Sequence, residues 1–271
     1  MLHKPTAFPQ RALFKRLTTS ERWSVVVGRA STNGNHAMLS HELVTRYQVV
    51  PTALRDSLLG TSYLLPEFED QGPERLKGFR VALVTTHGAE LPEFHVPLQY
   101  LRDRGASVEV VTQDWLFGSE KGEASGMVML AQFLAVNVWV KANKKISDAK
   151  IEDYDAIIIL GGAWNPIMLR TDKQVLRFIC KAHKRRILIA SICHGPQVLI
   201  STQAFPAGTR ATGVKDIRVD LTNAGFEVED KPVVYDESEQ LITSPSPEPE
   251  ALKAFCEEIG KHAHRVVLEK N

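Results

Sequence analysis

Short, almost continuous apolar runs alternate with amphipathic stretches through most of the chain after residue 78. Runs of Val, Ile and Leu without polar alternation are typical of strands buried on both faces. Strands are therefore predicted at 79–85 (FRVALVT), 107–112, 156–160 and 186–192. Helices are predicted between them, at 92–104, 172–185 and 196–201. This alternation predicts right-handed βαβ units, a mostly parallel sheet and an α/β fold.

The end of the chain has a different pattern. Residues 233–235 and 241–243 are predicted to form an added hairpin. Ser246 is predicted to cap a final helix with Pro247 at its first position, because serine accepts from free helix N–H groups and proline needs no donor there.

The first 78 residues show no clear period. An acidic, Gly- and Pro-containing stretch at 67–73 is typical of a linker, so we place a domain boundary near Gly78. Residues 1–78 are then an N-terminal extension and residues 79–271 a single domain. Residues 1–40 contain six Lys or Arg and one acid. We interpret them as a basic arm, and an organelle transit peptide is the alternative.

The composition argues against several classes of protein. The 271 residues are 44% hydrophobic and 24% charged with a net charge of +1, which is typical of a globular protein and gives no basic footprint for nucleic acid. The most apolar stretch, 127–140, is too short to span a bilayer, so no membrane partner is expected. Three cysteines are too few for a disulfide framework, and a cytoplasmic location is the default.

Polar and glycine-rich segments follow three of the predicted strands. They are residues 87–93 (HGAELPE), 161–166 (GGAWNP) and 193–196 (CHGP). Functional sites of open α/β sheets form at the carboxyl ends of the strands, so we expect these segments to meet. The possible pocket residues among them are Glu90, Gly161, Ala163, Trp164 and Asn165.

Cys193 lies between a buried strand and a helix. A sharp turn there exposes the side chain above the sheet, as in a nucleophile elbow, and the helix N-terminus favours the thiolate. Free cysteines are more often small buried hydrophobes, and we interpret Cys180 and Cys256 in that way. The Cys-His-Gly-Pro context favours a reactive thiol at Cys193.

The other candidates are supporting groups. Gly162 and the His194 backbone N–H could bind an oxyanion beside the sulfur, although a glycine pair is also common in plain turns. Glu93 could exchange protons with the thiol, although an acid in a first helical turn is commonly only stabilising. The His194 side chain could be a base, but neighbours in sequence usually point apart. The remaining histidines considered, His36, His41, His262 and His264, have no metal-ligand spacing and are interpreted as surface residues; no metal or cofactor is expected.

Residues 79–264 resemble the ThiJ/PfpI family of the class I glutamine amidotransferase-like superfamily. The similarity is carried by AIIILGGAWNP, by ICHGPQ, by TGVKDIRVDLTNAG and by LITSPSPEPE. The resemblance implies a flavodoxin-like three-layer α/β/α sandwich and a homodimer or higher assembly. It also implies Cys193 as the nucleophile at the elbow, Glu93 as the buried glutamate that touches the thiol, and Gly162 and His194 as oxyanion-binding positions.

Two departures from the family pattern bear on activity. Peptidase-like members place an acid after the glycine loop to orient the histidine, and Ile167 stands there. The resemblance then implies a histidine without its carboxylate, and peptidase activity is not expected. The late His-Pro-Glu of amidotransferases is replaced by residues 246–248 (SPE), so glutamine hydrolysis is not expected either.

The leading hypothesis is a cysteine-dependent enzyme acting on small carbonyl or acyl compounds, similar to glyoxalases or deglycases, with Cys193, Glu93 and His194 as catalytic residues. One alternative is a stress protein without turnover, either a redox sensor or a holding chaperone. Another is a specialised pathway hydrolase or lyase whose pocket is shaped by residues 1–78 and 116–140.

Overall fold

The structure, a computed structural model, describes residues 66–118, 126–132 and 135–270. Its strands in chain order are β1 (Arg80–Val84), β2 (Ala89–Glu90), β3 (Ser107–Thr112), β4 (Met127–Gln132), β5 (Ala135–Lys141), β6 (Lys144–Lys145), β7 (Ala156–Ile159), β8 (Leu188–Ile192), β9 (Arg210–Ala211), β10 (Glu227–Val228), β11 (Val234–Asp236) and β12 (Leu241–Ser244). Its α-helices are α1 (Leu91–Arg102), α2 (Asn165–Leu169), α3 (Lys173–Lys184), α4 (Pro196–Thr202), α5 (Arg218–Asn223) and α6 (Pro249–Lys270).

The main sheet has seven strands in the order β11-β12-β8-β7-β1-β3-β6. Its neighbours pair in parallel except β11 and β12, which form the expected antiparallel hairpin. The crossovers place β7 between β8 and β1 in the middle of the sheet. The prediction of a mostly parallel α/β sandwich is confirmed.

Both faces of the sheet are buried, which explains the continuous apolar runs. Along β1, Val81 and Leu83 pack into one core, and Ala82 and Val84 pack into the other. Helices α1 and α6 contribute to the first core, and α3, α4 and α5 contribute to the second. Successive side chains along a strand therefore point into two different hydrophobic layers, and do not alternate between core and solvent.

Helix α3 shows how the sequence produces one of these layers. Asp172 caps the helix, and its carboxylate accepts from the N–H groups of Gln174 at 2.8 Å and Val175 at 3.4 Å. The buried positions, spaced three or four residues apart, are Val175, Phe178, Ile179 and Ala182. The helix therefore has a polar start, one apolar stripe and a basic last turn, which suits its dipole.

The apolar stretch at 127–140 lies in a second, smaller sheet. Strands β4 and β5 make an antiparallel hairpin, and β4 also pairs in parallel with β2. Val128, Leu130 and Val140 from this hairpin are buried in the first core. The pairing with β2 brings the hairpin next to the start of α1.

Residues 66–78 also pack on the domain. Leu76 is buried, and its N–H donates to Arg104 O at 2.6 Å. The ring of Phe68 lies 4.7 Å from that of Tyr100 on α1. The stretch predicted to be a linker is therefore part of the packed structure. The role of the extension stays a prediction, because residues 1–65 lie outside the described residues.

The predicted start of the last helix is wrong. Helix α6 begins at Pro249, so Ser246 and Pro247 lie in the loop before it. Either proline can occupy a first helical position, because that position needs no N–H donor. Ser244, at the end of β12, instead accepts the Cys193 N–H through its carbonyl and donates from its hydroxyl to Pro232 O and Ala251 O.

Candidate active site

Cys193 stands on a sharp turn between β8 and α4. Its φ is 60°, in the left-handed region that costs an L-residue energy. The turn is held by the hydrogen bond from Cys193 N to Ser244 O at 2.9 Å. It also needs glycine at position 195, where a Cβ would lie 2.5 Å from Ser191 Oγ. The geometry is that of an elbow, which turns the thiol toward the carboxyl edge of the sheet.

The thiol contacts the side chain of the next residue. Cys193 Sγ lies 3.3 Å from His194 Nδ1. On the other side of the ring, His194 Nε2 lies 3.0 Å from Asp216 Oδ2. Cysteine, histidine and aspartate thus form one continuous series within a single chain, in the order that lets a carboxylate orient an imidazole next to a nucleophile.

Asp216 corrects the expectation that the histidine lacks a carboxylate. Position 167 does not supply one: Ile167 is exposed on α2. The carboxylate comes instead from a short 3-10 turn, Lys215–Ile217, before α5. Asp216 was missed, although it lies inside the TGVKDIRVDLTNAG stretch that carries the family resemblance.

Glu93, in the first turn of α1, is completely buried. Its Oε2 accepts the Gly161 N–H at 2.7 Å. Burial raises the pKa of this carboxyl to about 8, against the opposing effect of hydrogen bonding to Cys193. The carboxyl is therefore protonated at neutral pH and can donate to a neighbouring sulfur.

An ionised Glu93 opposes ionisation of the Cys193 thiol. Burial and the Glu93 carboxylate raise the pKa of the Cys193 thiol, and the backbone N–H groups of Gly162 and His194 lower it. The repulsion disappears when Glu93 holds the proton. A thiolate is then accompanied by a neutral carboxyl and two N–H donors, and the pair carries one negative charge rather than two.

The two glycines after β7 are required by close packing. A Cβ on Gly161 would lie 2.7 Å from Cys193 Cβ and 2.8 Å from Glu93 Oε2. Gly162 has a φ of 90°, and a Cβ there would overlap Gly88 O. These residues are therefore fixed by the approach of three strand ends, and the Gly162 N–H is held at the sulfur.

A sequence profile of the DJ-1/PfpI family matches residues 79–262. The chain belongs to the DJ-1/PfpI family. General stress protein 18 of Bacillus subtilis is 34% identical over 63% of this chain and 91% of its own. Protein/nucleic acid deglycase 2 of Escherichia coli is 33% identical over 62% of this chain and 90% of its own. The solved structure of Schizosaccharomyces pombe DJ-1 has a TM-score of 0.57 at 23% identity, covering 70% of this chain and 97% of that one, and it supports the fold.

Within this DJ-1/PfpI domain, the possible pocket residues do not share one role. Glu90 is half-buried where β2 meets α1, Ala163 is half-buried, and Trp164 is exposed. Asn165 does not line a pocket. It is buried, and its side chain accepts from Thr86 N at 2.6 Å and donates to Leu160 O at 2.6 Å. It therefore links the ends of β1 and β7.

An aromatic group near the site was not predicted. His87, Trp115, Trp139 and Trp164, called the aromatic rim below, surround the segment after β1. The His87 ring centroid lies 5.5 Å from that of Trp115 and 5.8 Å from that of Trp139, both nearly perpendicular. His87 and Trp164 lie in segments that were expected at the sheet edge, whereas Trp115 and Trp139 were not singled out because they are far from both along the chain.

The remaining cysteines and histidines lie elsewhere in the fold. Cys180 is half-buried and Cys256 is buried on α6. His262 is not a surface residue: it is buried, and burial lowers its pKa to about 4. His264 is half-buried, and His36 and His41 lie outside the described residues. Within the described ranges, no group of three His, Cys, Asp or Glu could hold a metal ion, and no helix has the length and apolar character needed to cross a bilayer.

Proposed function

We propose that this chain is a cysteine-dependent enzyme that converts small α-oxoaldehydes, such as methylglyoxal, to 2-hydroxy acids without a cofactor. The observation that carries the proposal is the contact of the Cys193 sulfur with His194 Nδ1 beside a fully buried Glu93. A thiol with a buried carboxylic acid and an oriented imidazole suits addition to a carbonyl followed by proton transfer.

The first step is addition. The Cys193 thiolate forms a C–S bond to the aldehyde carbon, and the carbonyl electron pair moves to oxygen. The N–H groups of Gly162 and His194 stabilise the developing negative charge. Glu93 then gives its proton to that oxygen, so the product is a neutral thiohemiacetal next to a carboxylate.

The second step is proton transfer within the adduct. The Glu93 carboxylate removes the hydrogen of the former aldehyde carbon, and that electron pair forms an enediol as the neighbouring carbonyl oxygen takes up the proton that His194 accepted from the thiol. Glu93 then returns its proton to the second carbon and accepts the O–H proton of the carbon that bears sulfur, which gives a thioester. Water activated by His194 then adds to the thioester, the C–S bond breaks and the 2-hydroxy acid leaves. The sum is addition of one water, with no external oxidant or reductant.

Lactate formation from methylglyoxal by the purified full chain tests the proposal. We expect turnover in the unchanged protein, retention in Cys180→Ser, and loss in Cys193→Ser, because serine is not ionised at neutral pH. Equal lactate formation by Cys193→Ser, or none by the unchanged protein, would contradict it. The carbonyl substrate, a homo-oligomeric assembly and a cytoplasmic location are part of the same proposal.

A second candidate is a stress protein that acts without turnover, and the similarity to General stress protein 18 favours it. The thiol would then be reversibly oxidised or would be dispensable for holding unfolded chains. Suppression of aggregation of a heated client protein that persists in Cys193→Ser would support holding activity. Loss of the effect in that variant would argue against it.

A further inference from the structure

Three exposed tryptophans gather at one place on the surface. Trp115 is 52% exposed, Trp139 40% and Trp164 41%, and each is among the exposed large apolar side chains of the described residues. Single exposed apolar residues are ordinary on protein surfaces. Two tryptophans on one histidine and a third against the next residue, Gly88, are not ordinary, since such patches commonly mark a binding site.

The aromatic rim is held in place by hydrogen bonding and close packing. His87 Nδ1 accepts the Met129 N–H at 3.0 Å, which fixes the ring between β1 and the β4–β5 hairpin. Gly88, with a φ of 83°, leaves room for Trp164, because a Cβ there would lie 2.7 Å from Trp164 Cβ. The rim is therefore held where the loops after β1 and β7 meet the β4–β5 hairpin.

The rim also borders the thiol site. Gly88 O packs against Gly162, leaving no room for a Cβ on that glycine. Gly162 in turn directs its N–H at the Cys193 sulfur. The thiol site and the rim are therefore neighbours, joined through the backbone of Gly162 and Gly88.

We propose that the aromatic rim binds a flat aromatic ring of the substrate, so that aryl-substituted α-oxoaldehydes are preferred over methylglyoxal. This inference rests on the proposed function. Tryptophan faces bind flat rings through offset or edge contacts and large buried area. The rim is thus the part of the site that sets specificity.

The chemistry of His87 favours a neutral ring with a carbonyl over a cation. Because Nδ1 accepts from the backbone, the proton of the neutral imidazole is on Nε2. Burial lowers the pKa of His87, which keeps this form at neutral pH. An N–H donor at the rim suits a carbonyl or carboxylate oxygen and opposes a cationic group.

The kinetic test compares phenylglyoxal with methylglyoxal in the full chain. We expect phenylglyoxal to have the higher kcat/KM in the unchanged protein. The ratio of the two values should fall about 3- to 10-fold in Trp115→Ala and in Trp139→Ala, as expected for one aromatic contact. Leu268→Ala, which truncates a 63% exposed side chain on α6, is the matched control and should keep the ratio.

A binding test needs no turnover. Calorimetry with Cys193→Ser compares mandelate and lactate, which differ only by phenyl in place of methyl. We expect mandelate to bind more tightly, and Trp139→Ala in that background to reduce the preference. If neither aldehyde is turned over but mandelate is still preferred, the proposed function fails and the aromatic site stands.

Three results would overturn the inference. They are equal binding of mandelate and lactate, an unchanged kinetic ratio in both tryptophan variants, and a lower sedimentation mass of those variants. The last would mean that the tryptophans lie between copies of the chain and do not contact substrate.

Discussion

At the scale of single residues, the site depends on where one proton resides. Glu93 is buried with its Oε2 on the Gly161 N–H, and Cys193 carries the neighbouring thiol. Two negative charges in this buried space would repel strongly. Protonation of the carboxyl removes that cost, so that ionisation of the sulfur is opposed by burial and no longer by a second negative charge.

The first prediction concerns pH and stability. The pKa of Glu93 is raised by burial from 4.5 to about 8, so the folded chain binds more protons than the unfolded chain between those values. The free energy of unfolding should therefore fall as pH rises through that window, by about 2–4 kcal/mol in total. Glu93→Gln has no such proton and should show a flatter profile.

Urea unfolding near pH 5 and near pH 8 measures the difference. Glu237→Gln, which changes an exposed carboxyl, is the control and should follow the unchanged protein. Parallel pH profiles for Glu93→Gln and the unchanged protein would show that Glu93 titrates as an ordinary surface acid.

The second prediction concerns Asp216, a positioning residue that acts through His194. Asp216→Asn should lower kcat roughly 10-fold with little change in KM, because the imidazole loses its carboxylate partner. The effect should be smaller than for a buried aspartate, since this side chain is 67% exposed. Steady-state kinetics with methylglyoxal measure it.

Two further variants distinguish an orienting role of Asp216 from a general effect of surface charge. Asp216→Glu keeps the charge and should recover part of kcat, whereas Asp220→Asn removes a nearby exposed carboxylate and should change nothing. Equal losses in Asp216→Asn and Asp220→Asn would indicate a general effect of surface charge.

At the scale of elements, strand ends that approach each other define the site. The loop after β7 passes so close to the loop after β1 that Gly162 has no room for a Cβ beside Gly88 O. Gly208 has a similar φ of 87° but nothing within 4 Å of its Cβ position. Comparison of substitutions at the two positions therefore separates the cost of backbone strain from the cost of close packing.

The third prediction uses that pair. Gly208→Ala should cost about 1 kcal/mol, from the left-handed conformation alone. Gly162→Ala carries the same strain and a backbone clash, so it should cost at least about 2 kcal/mol more and abolish turnover. Thermal unfolding and lactate formation are the measurements. Similar losses at both glycines would mean that the loop moves away without cost.

The elements also show what could be predicted from sequence. The elbow was predictable because strand, Cys-His-Gly-Pro and helix are contiguous. Asp216 was not, because its approach to His194 depends on how α5 packs. The β4–β5 hairpin was missed because its apolar run lacks a clear period, and the start of α6 was ambiguous because two prolines could each begin it.

At the scale of the whole molecule, the core extends ahead of the family match at residue 79. Leu76 is completely buried in the first core, and the Arg104 side chain donates to Glu69 O at 2.6 Å. The domain therefore uses residues that the breaker-rich composition of 67–73 had suggested were a linker. Composition could not reveal this, because burial here depends on α1.

The fourth prediction tests that packing. Leu76→Ala should destabilise the full chain by about 2–5 kcal/mol, because it leaves a cavity in the core. Leu268→Ala, the exposed control, should stay within about 0.5 kcal/mol of the unchanged protein. Urea unfolding measures both. Equal values would place Leu76 outside the cooperative core.

The φ of 60° at Cys193 has a consequence for engineering. Glycine adopts this conformation without steric cost, so Cys193→Gly should relax the turn. A selection for heat resistance alone would therefore tend to discard the thiol. Improvement of this protein for use at high temperature must screen for catalysis at every round.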